Sequence, residues 1–160
     1  MEHWANYFIT TAGGAAALAG LIFVSVSLNL KKILSLKHLP GRALGSLILL
    51  TNILISGSFC LVPGQGLFWL GCEILAVSIT IWAVNTRMDI NMYRNAENQY
   101  QPHYLQNLVF TQVAVLPYIA GSIFLVNNSS TGFYCLIPGI TFSFVKALID
   151  SWVLLVEINR

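Results

Sequence analysis

The chain has 160 residues, of which 56% are hydrophobic and 9% charged, with a formal net charge of +2. A soluble domain carries about 25% charged residues because water must wet its surface, so this composition excludes an ordinary soluble domain and a disordered chain and leaves an integral membrane protein. The small net charge gives no footprint for nucleic acid, and 12 Gly, 5 Pro and 3 Cys form no collagen, linker or disulfide-scaffold pattern.

A membrane-crossing helix needs about 20 apolar residues, because the hydrocarbon is ~30 Å thick and the helix rises ~1.5 Å per residue. Span 1 runs from Tyr7 to Leu30 and stops at Lys31 and Lys32. Span 2 runs from Ala43 to Val62 and ends at the turn Pro63-Gly64-Gln65-Gly66. Span 3, Leu67 to Val84, contains Glu73 and ends at Asn85-Thr86-Arg87. Span 4, Leu105 to Val126, precedes the polar turn Asn127 to Gly132. Span 5 runs from Phe133 to Ile158, but Lys146 and Asp150 interrupt it, and its uninterrupted part to Val145 is too short to cross alone. Transmembrane strands have ~9–11 residues of alternating polarity, and these runs are longer and apolar all round. The expectation is therefore an all-α, five-span polytopic helix bundle forming a single domain over residues 1–160. The segment 85–103 is read as its one sizeable loop and the best exposed docking surface.

The loop cations Lys31, Lys32, Lys37, Arg42, Arg87 and Arg94 all fall on one face, and the turns at 63–66 and 127–132 hold no Lys or Arg. The positive-inside rule assigns that face to the cytoplasm, which puts the N-terminus outside and the C-terminus inside. Trp4, Tyr7, Trp69 and Tyr134 fall near the outer boundary, and Trp82, Tyr104 and Trp152 near the inner one, as interfacial aromatics do. Residues 1–6 carry no Lys or Arg, so span 1 does not read as a cleaved signal peptide.

Span 1 is rich in small residues. Ala12, Ala16 and Gly20 recur every four positions, as do Gly13 and Ala17, and such a face lets helix backbones approach closely in lipid. It serves either packing within the chain or a seam between copies. The stretch Ala15-Ala16-Ala17-Leu18-Ala19-Gly20-Leu21-Ile22-Phe23-Val24, continuing to Ser27, Asn29 and Leu30, with Leu39-Pro40-Gly41-Arg42-Ala43 downstream, resembles a group of small bacterial multi-span proteins of unassigned function. Some of these carry the name modulator of FtsH protease. The likeness is best over residues 12–73, through Leu70-Gly71-Cys72-Glu73. It implies a bacterial inner-membrane protein without known catalytic residues, and no motif here contains protease-binding chemistry.

Polar residues inside the spans are the candidate site, because the bilayer makes each of them costly. Glu73 reads as a proton or cation site or as a hydrogen-bonded carboxyl near the interface. Asn52 and Gln112 read as interhelical hydrogen-bonding groups. Ser143, Lys146, Asp150 and Glu157 follow helical steps and form one polar stripe, in which Lys146 and Asp150 can pair across a turn. That stripe faces a water-filled path or a partner, or else Lys146 snorkels to the interface and anchors the helix. Pro117 and Pro138 fall inside spans and mark bends.

Cys60, Cys72 and Cys135 form no Cys-x-x-Cys, and a Cys60–Cys72 disulfide is the alternative to buried thiols. His3, His38 and His103 are scattered, with no metal-ligand spacing, nucleophile elbow or phosphate loop. The reading is a non-enzymatic interaction or regulatory protein acting within the bilayer, without cofactor. Its partners are the lipid bilayer and either a second copy or another membrane protein. The alternative is a small homo-oligomeric channel or transporter using Lys146 and Asp150 or Glu73.

Overall fold

The computed structural model describes residues 2–35, 39–94 and 101–158, and the side chains of 4–35, 39–94 and 104–156. Lys37, His38 and Glu97 lie outside the described residues, as do the side chains of His3, His103 and Glu157. Among the described residues the chain forms six α-helices and no strand: α1 (Glu2–Leu28), α2 (Leu30–Ser35), α3 (Leu39–Cys60), α4 (Leu67–Arg94), α5 (Gln101–Val126) and α6 (Thr131–Ile158). The expected all-α bundle is what forms, and five of its helices are long and apolar enough to cross a membrane. Exposure repeats that conclusion independently: Leu21, Phe23, Leu28, Trp69 and Trp152 are each more than 60% exposed, while Asn52, Lys146 and Asp150 are buried. An apolar exterior with the charged and amide side chains of the spans turned inward suits hydrocarbon as the solvent.

Two element bounds depart from the sequence reading. The helix of span 3 does not stop at Val84 but continues ten residues to Arg94, and α5 begins at Gln101. Asn85-Thr86-Arg87 ends the apolar run without ending the helix, because no Pro or Gly interrupts the backbone there. The loop expected over 85–103 is therefore mostly helix, and Asn85 and Asp89 are buried rather than exposed for docking. The second departure is α2, which follows α1 after Asn29. The Asn29 carboxamide donates to Ser25 O at 3.0 Å, while Asn29 O accepts from the amides of Lys32 and Ile33. Local side-chain bonding of this kind interrupts a helix without a proline.

The connections are specified by turn chemistry. Pro40 sits in the first turn of α3, where its missing amide hydrogen is not needed. Gly64, with φ of 74°, turns the chain between α3 and α4. The C-terminus of α5 closes with a Schellman motif: Asn128 adopts φ of 56°, its amide donates to Leu125 O at 2.9 Å, and the Ser129 amide donates to Phe124 O at 3.0 Å. Both turns are short, so α3 runs antiparallel to α4, and α5 to α6.

In section, α3 contacts α1, α4 and α6, and α5 fills the remaining side between α4 and α6. Glycines set the closest approaches. A methyl group on Gly71 would meet the Val126 backbone nitrogen at 2.5 Å, and one on Gly132 would meet Gly121 O at 2.5 Å. These two points hold α4 and α6 against α5 at the end of the bundle opposite the basic loops. At the same end Trp4 of α1 stacks on Phe133 with centroids 5.7 Å apart and meets Tyr134 edge-on at 4.9 Å. Towards the basic loops α1 parts from α6, leaving an apolar cleft of about 220 Å³ between Leu18, Ile22, Val26, Leu148 and Leu155. α5 and α6 pass through Pro117 and Pro138 without breaking.

Candidate functional site

Three helices each bring a polar pair, spaced one turn apart, to the same buried place. α6 supplies Lys146 and Asp150, α5 supplies Asn107 and Thr111, and α4 supplies Asn85 and Asp89. Lys146 is 5% exposed, Asp150 2% and Asp89 6%. The expected pair across one turn forms, since the Lys146 ammonium donates to Asp150 Oδ2. Lys146 Nζ also donates to Asn107 Oδ1 at 2.7 Å, and Asn107 Nδ2 donates to Asp89 Oδ1 at 2.8 Å. The orientation of the Asn107 amide follows from its partners, because an ammonium only donates and a carboxylate only accepts. Asp150, Lys146, Asn107 and Asp89 thus form one hydrogen-bonded chain across α6, α5 and α4.

The buried ammonium contradicts the snorkelling alternative, in which Lys146 would reach the interface alone. Two of its three N–H donors are met inside the bundle. Thr111 donates to Asn107 O at 3.1 Å and closes the same wall. On α3, Gly41 leaves room for Met92, since a methyl there would lie 2.9 Å from Met92 Sδ, and Gly45 faces Asn85, whose Oδ1 would lie 4.0 Å from a methyl, in ordinary contact. The residual cavity is about 10 Å³, close to the space that one water molecule requires. Two polar atoms there, Asp89 Oδ2 and Asn85 Nδ2, have no hydrogen-bond partner.

The other candidates are not gathered into this cluster. Glu73 lies near the opposite end, where its carboxylate accepts from Gln65 Nε2 at 2.6 Å. Asn52 is buried in α3, its Oδ1 accepting a 3.4 Å bond from Ser56 and its Nδ2 unpartnered. Gln112 ties α5 to α4, accepting from Trp82 Nε1 at 2.6 Å and donating to Thr86 Oγ1 at 3.0 Å, as expected of an interhelical hydrogen-bonding group. Ser143 is buried with Lys146, and its Oγ has no partner. The three cysteines are free, so the Cys60–Cys72 disulfide does not form.

The small-residue face of α1 divides in two. Ala12 is buried against Gly57 of α3, where a methyl on that glycine would sit 3.0 Å from the Ala12 Cβ. Gly13, Ala16, Ala17 and Gly20 are exposed, so packing within the chain accounts for Ala12 alone of the five. At 3.6 residues per turn the exposed four lie within an arc of about 100°, with Ala12 about 40° beyond its Ala16 edge and Ala15 on the far side.

Asn85, Asp89, Asn107 and Thr111 were not singled out from the sequence. Their signal was available as two polar pairs with helical i, i+4 spacing, flanking the last and first turns of the apolar runs. Reading Asn85 and Asp89 as loop removed the periodicity of one pair, while Asn107 and Thr111 lay within span 4 with their spacing unused.

The five long apolar helices, with apolar side chains outside and a charged cluster buried among them, define a multi-pass helical integral membrane protein. Comparison with models of protein families, with curated proteins and with solved structures returns no match.

Proposed function

We propose that this protein is a non-enzymatic interaction or regulatory protein that works by lateral association within the bilayer, with the exposed Gly13/Ala16/Ala17/Gly20 face of α1 as its seam. The observation that carries the reading is the contrast among small residues. Gly57, Gly71, Gly121 and Gly132 each meet a neighbouring helix, whereas nothing lies within 4 Å of a methyl built on Gly13 or Gly20. In lipid there is no hydrophobic drive between helices, so a bare backbone surface is of use chiefly where another backbone can approach. A face without bulk fits best against another without bulk. The same face on a second copy satisfies this by two-fold symmetry.

The family resemblance over residues 12–73 supports a bacterial inner membrane as the location. The loop cations support a cytoplasmic placement for residues 31–42 and Arg94, with the N-terminus outside. Disulfide trapping in native membranes tests the seam. In a cysteine-free background, Gly13→Cys and Ala17→Cys chains are expected to cross-link with their own kind, and Ile123→Cys, on the lipid-facing side of α5, is not. Equal cross-linking at all three positions refutes the reading.

A further inference from the structure

The buried charges around Lys146 do not balance. Asp89 and Asp150 bring two carboxylates and Lys146 one ammonium, all at least nine-tenths buried. From α3, Arg42 reaches the rim half-buried, but the ion pair found among the described residues is Lys146–Asp150. α5 faces Asp89 with Asn107 and Thr111, which carry no charge. Asp150 is held by the ammonium, Asp89 Oδ1 by Asn107, and the Thr111 hydroxyl donates to Asn107 O, so the excess falls on Asp89 Oδ2, a fully buried carboxylate oxygen without a hydrogen bond. An uncompensated buried carboxylate is strongly destabilising, more so where lipid surrounds the bundle.

We propose that Asp89 Oδ2 takes up one small monovalent cation in the cavity between α3, α4, α5 and α6. A single positive charge there balances the cluster and gives the free oxygen its partner. The volume of about 10 Å³ admits one small ion or one water, and the single positive charge that the cluster lacks selects a monovalent ion over Ca²⁺, which prefers six to eight oxygen ligands. Two sources share this chemistry. Na⁺ would sit with the Asn85 amide oxygen turned towards it. A proton on the carboxyl would donate to one trapped water, which also accepts from Asn85 Nδ2. This inference is independent of the α1 seam, since the cavity lies on the other side of α3.

Thermal unfolding of the full chain in detergent, with NaCl against choline chloride at equal ionic strength, separates the two sources when joined to infrared spectra of the carboxyl carbonyl region. A midpoint rising by about 3–5 °C per tenfold increase in Na⁺, and flat in Asp89→Asn, identifies sodium. No sodium response, but a protonated-carboxyl band at neutral pH that Asp89→Asn removes, identifies the proton. Asp89→Asn keeps the acceptor for Asn107 Nδ2. As a second variant, Asn85→Leu fills the cavity without touching a charge, and it should abolish the sodium response or shift the carboxyl band. Wild type that shows neither signal overturns the proposal, as does either signal surviving unchanged in both variants.

Discussion

Lys146 on α6 and Asn107 on α5 are joined by a 2.7 Å hydrogen bond, and through it the i, i+4 ion pair of a single helix becomes a bond between three helices. An isolated Lys146–Asp150 pair would satisfy itself within α6 and say nothing about its neighbours. Asn107 adds direction, because its amide oxygen must face the ammonium and its nitrogen Asp89. The cluster therefore fixes the rotation of α4, α5 and α6 relative to one another, which purely apolar faces specify loosely.

That geometry predicts unequal effects of neutralising its members. Lys146→Met leaves two buried carboxylates without a cation and is expected to destabilise by about 3–5 kcal/mol. Asp150→Asn should lose less, because the ammonium keeps Asn107 and, beyond it, Asp89. The triple variant Lys146→Met, Asp89→Asn, Asp150→Asn should regain most of the loss, since the penalty lies in unpaired charge. Unfolding titrations in mixed micelles read all three. Equal losses for Lys146→Met and Asp150→Asn would show that Asp89 is not coupled to the pair.

The helix contacts predict a second, steric ranking. Gly71→Ala and Gly132→Ala place a methyl 2.5 Å from backbone atoms of the facing helix, and backbone cannot swing aside as a flexible side chain can. Each is expected to destabilise by about 1–3 kcal/mol. Ala12→Leu should do the same, because Ala12 is buried against Gly57. Ala16→Leu, on the exposed side of the same helix, should leave monomer stability within about 0.5 kcal/mol. Thermal midpoints in detergent at high dilution check the order.

The spans were legible because bilayer thickness imposes a length that few other structures need: four apolar runs met it, and the fifth met it only by continuing through Lys146 and Asp150. Lys146 and Asp150 were legible because their spacing already makes a pair on one helix. Asp89 was not. The end of an apolar run marks where hydrocarbon stops, whereas a helix stops where its backbone bonding is interrupted, and in α4 the two differ by ten residues from Val84 to Arg94. The small residues of α1 illustrate the opposite difficulty. Spacing shows that Ala12, Gly13, Ala16, Ala17 and Gly20 leave little bulk, but which arc of the helix the chain itself covers depends on Gly57 of α3, far away in sequence.

Orientation yields a third prediction. In a cysteine-free background, a membrane-impermeant thiol reagent added to intact cells should label Ser130→Cys and leave Arg94→Cys unmodified until the membrane is opened. Labelling of position 94 alone would invert the arrangement that the loop cations imply.

The association of α1 faces is the central claim, and a subunit count in lipid nanodiscs tests it most directly. Wild-type chains are expected to be found as two or more copies per particle, and chains carrying Ala16→Leu with Gly20→Leu as single copies of unchanged thermal stability. Wild type found as one copy per particle, or a count that the two substitutions leave unaltered, would contradict it.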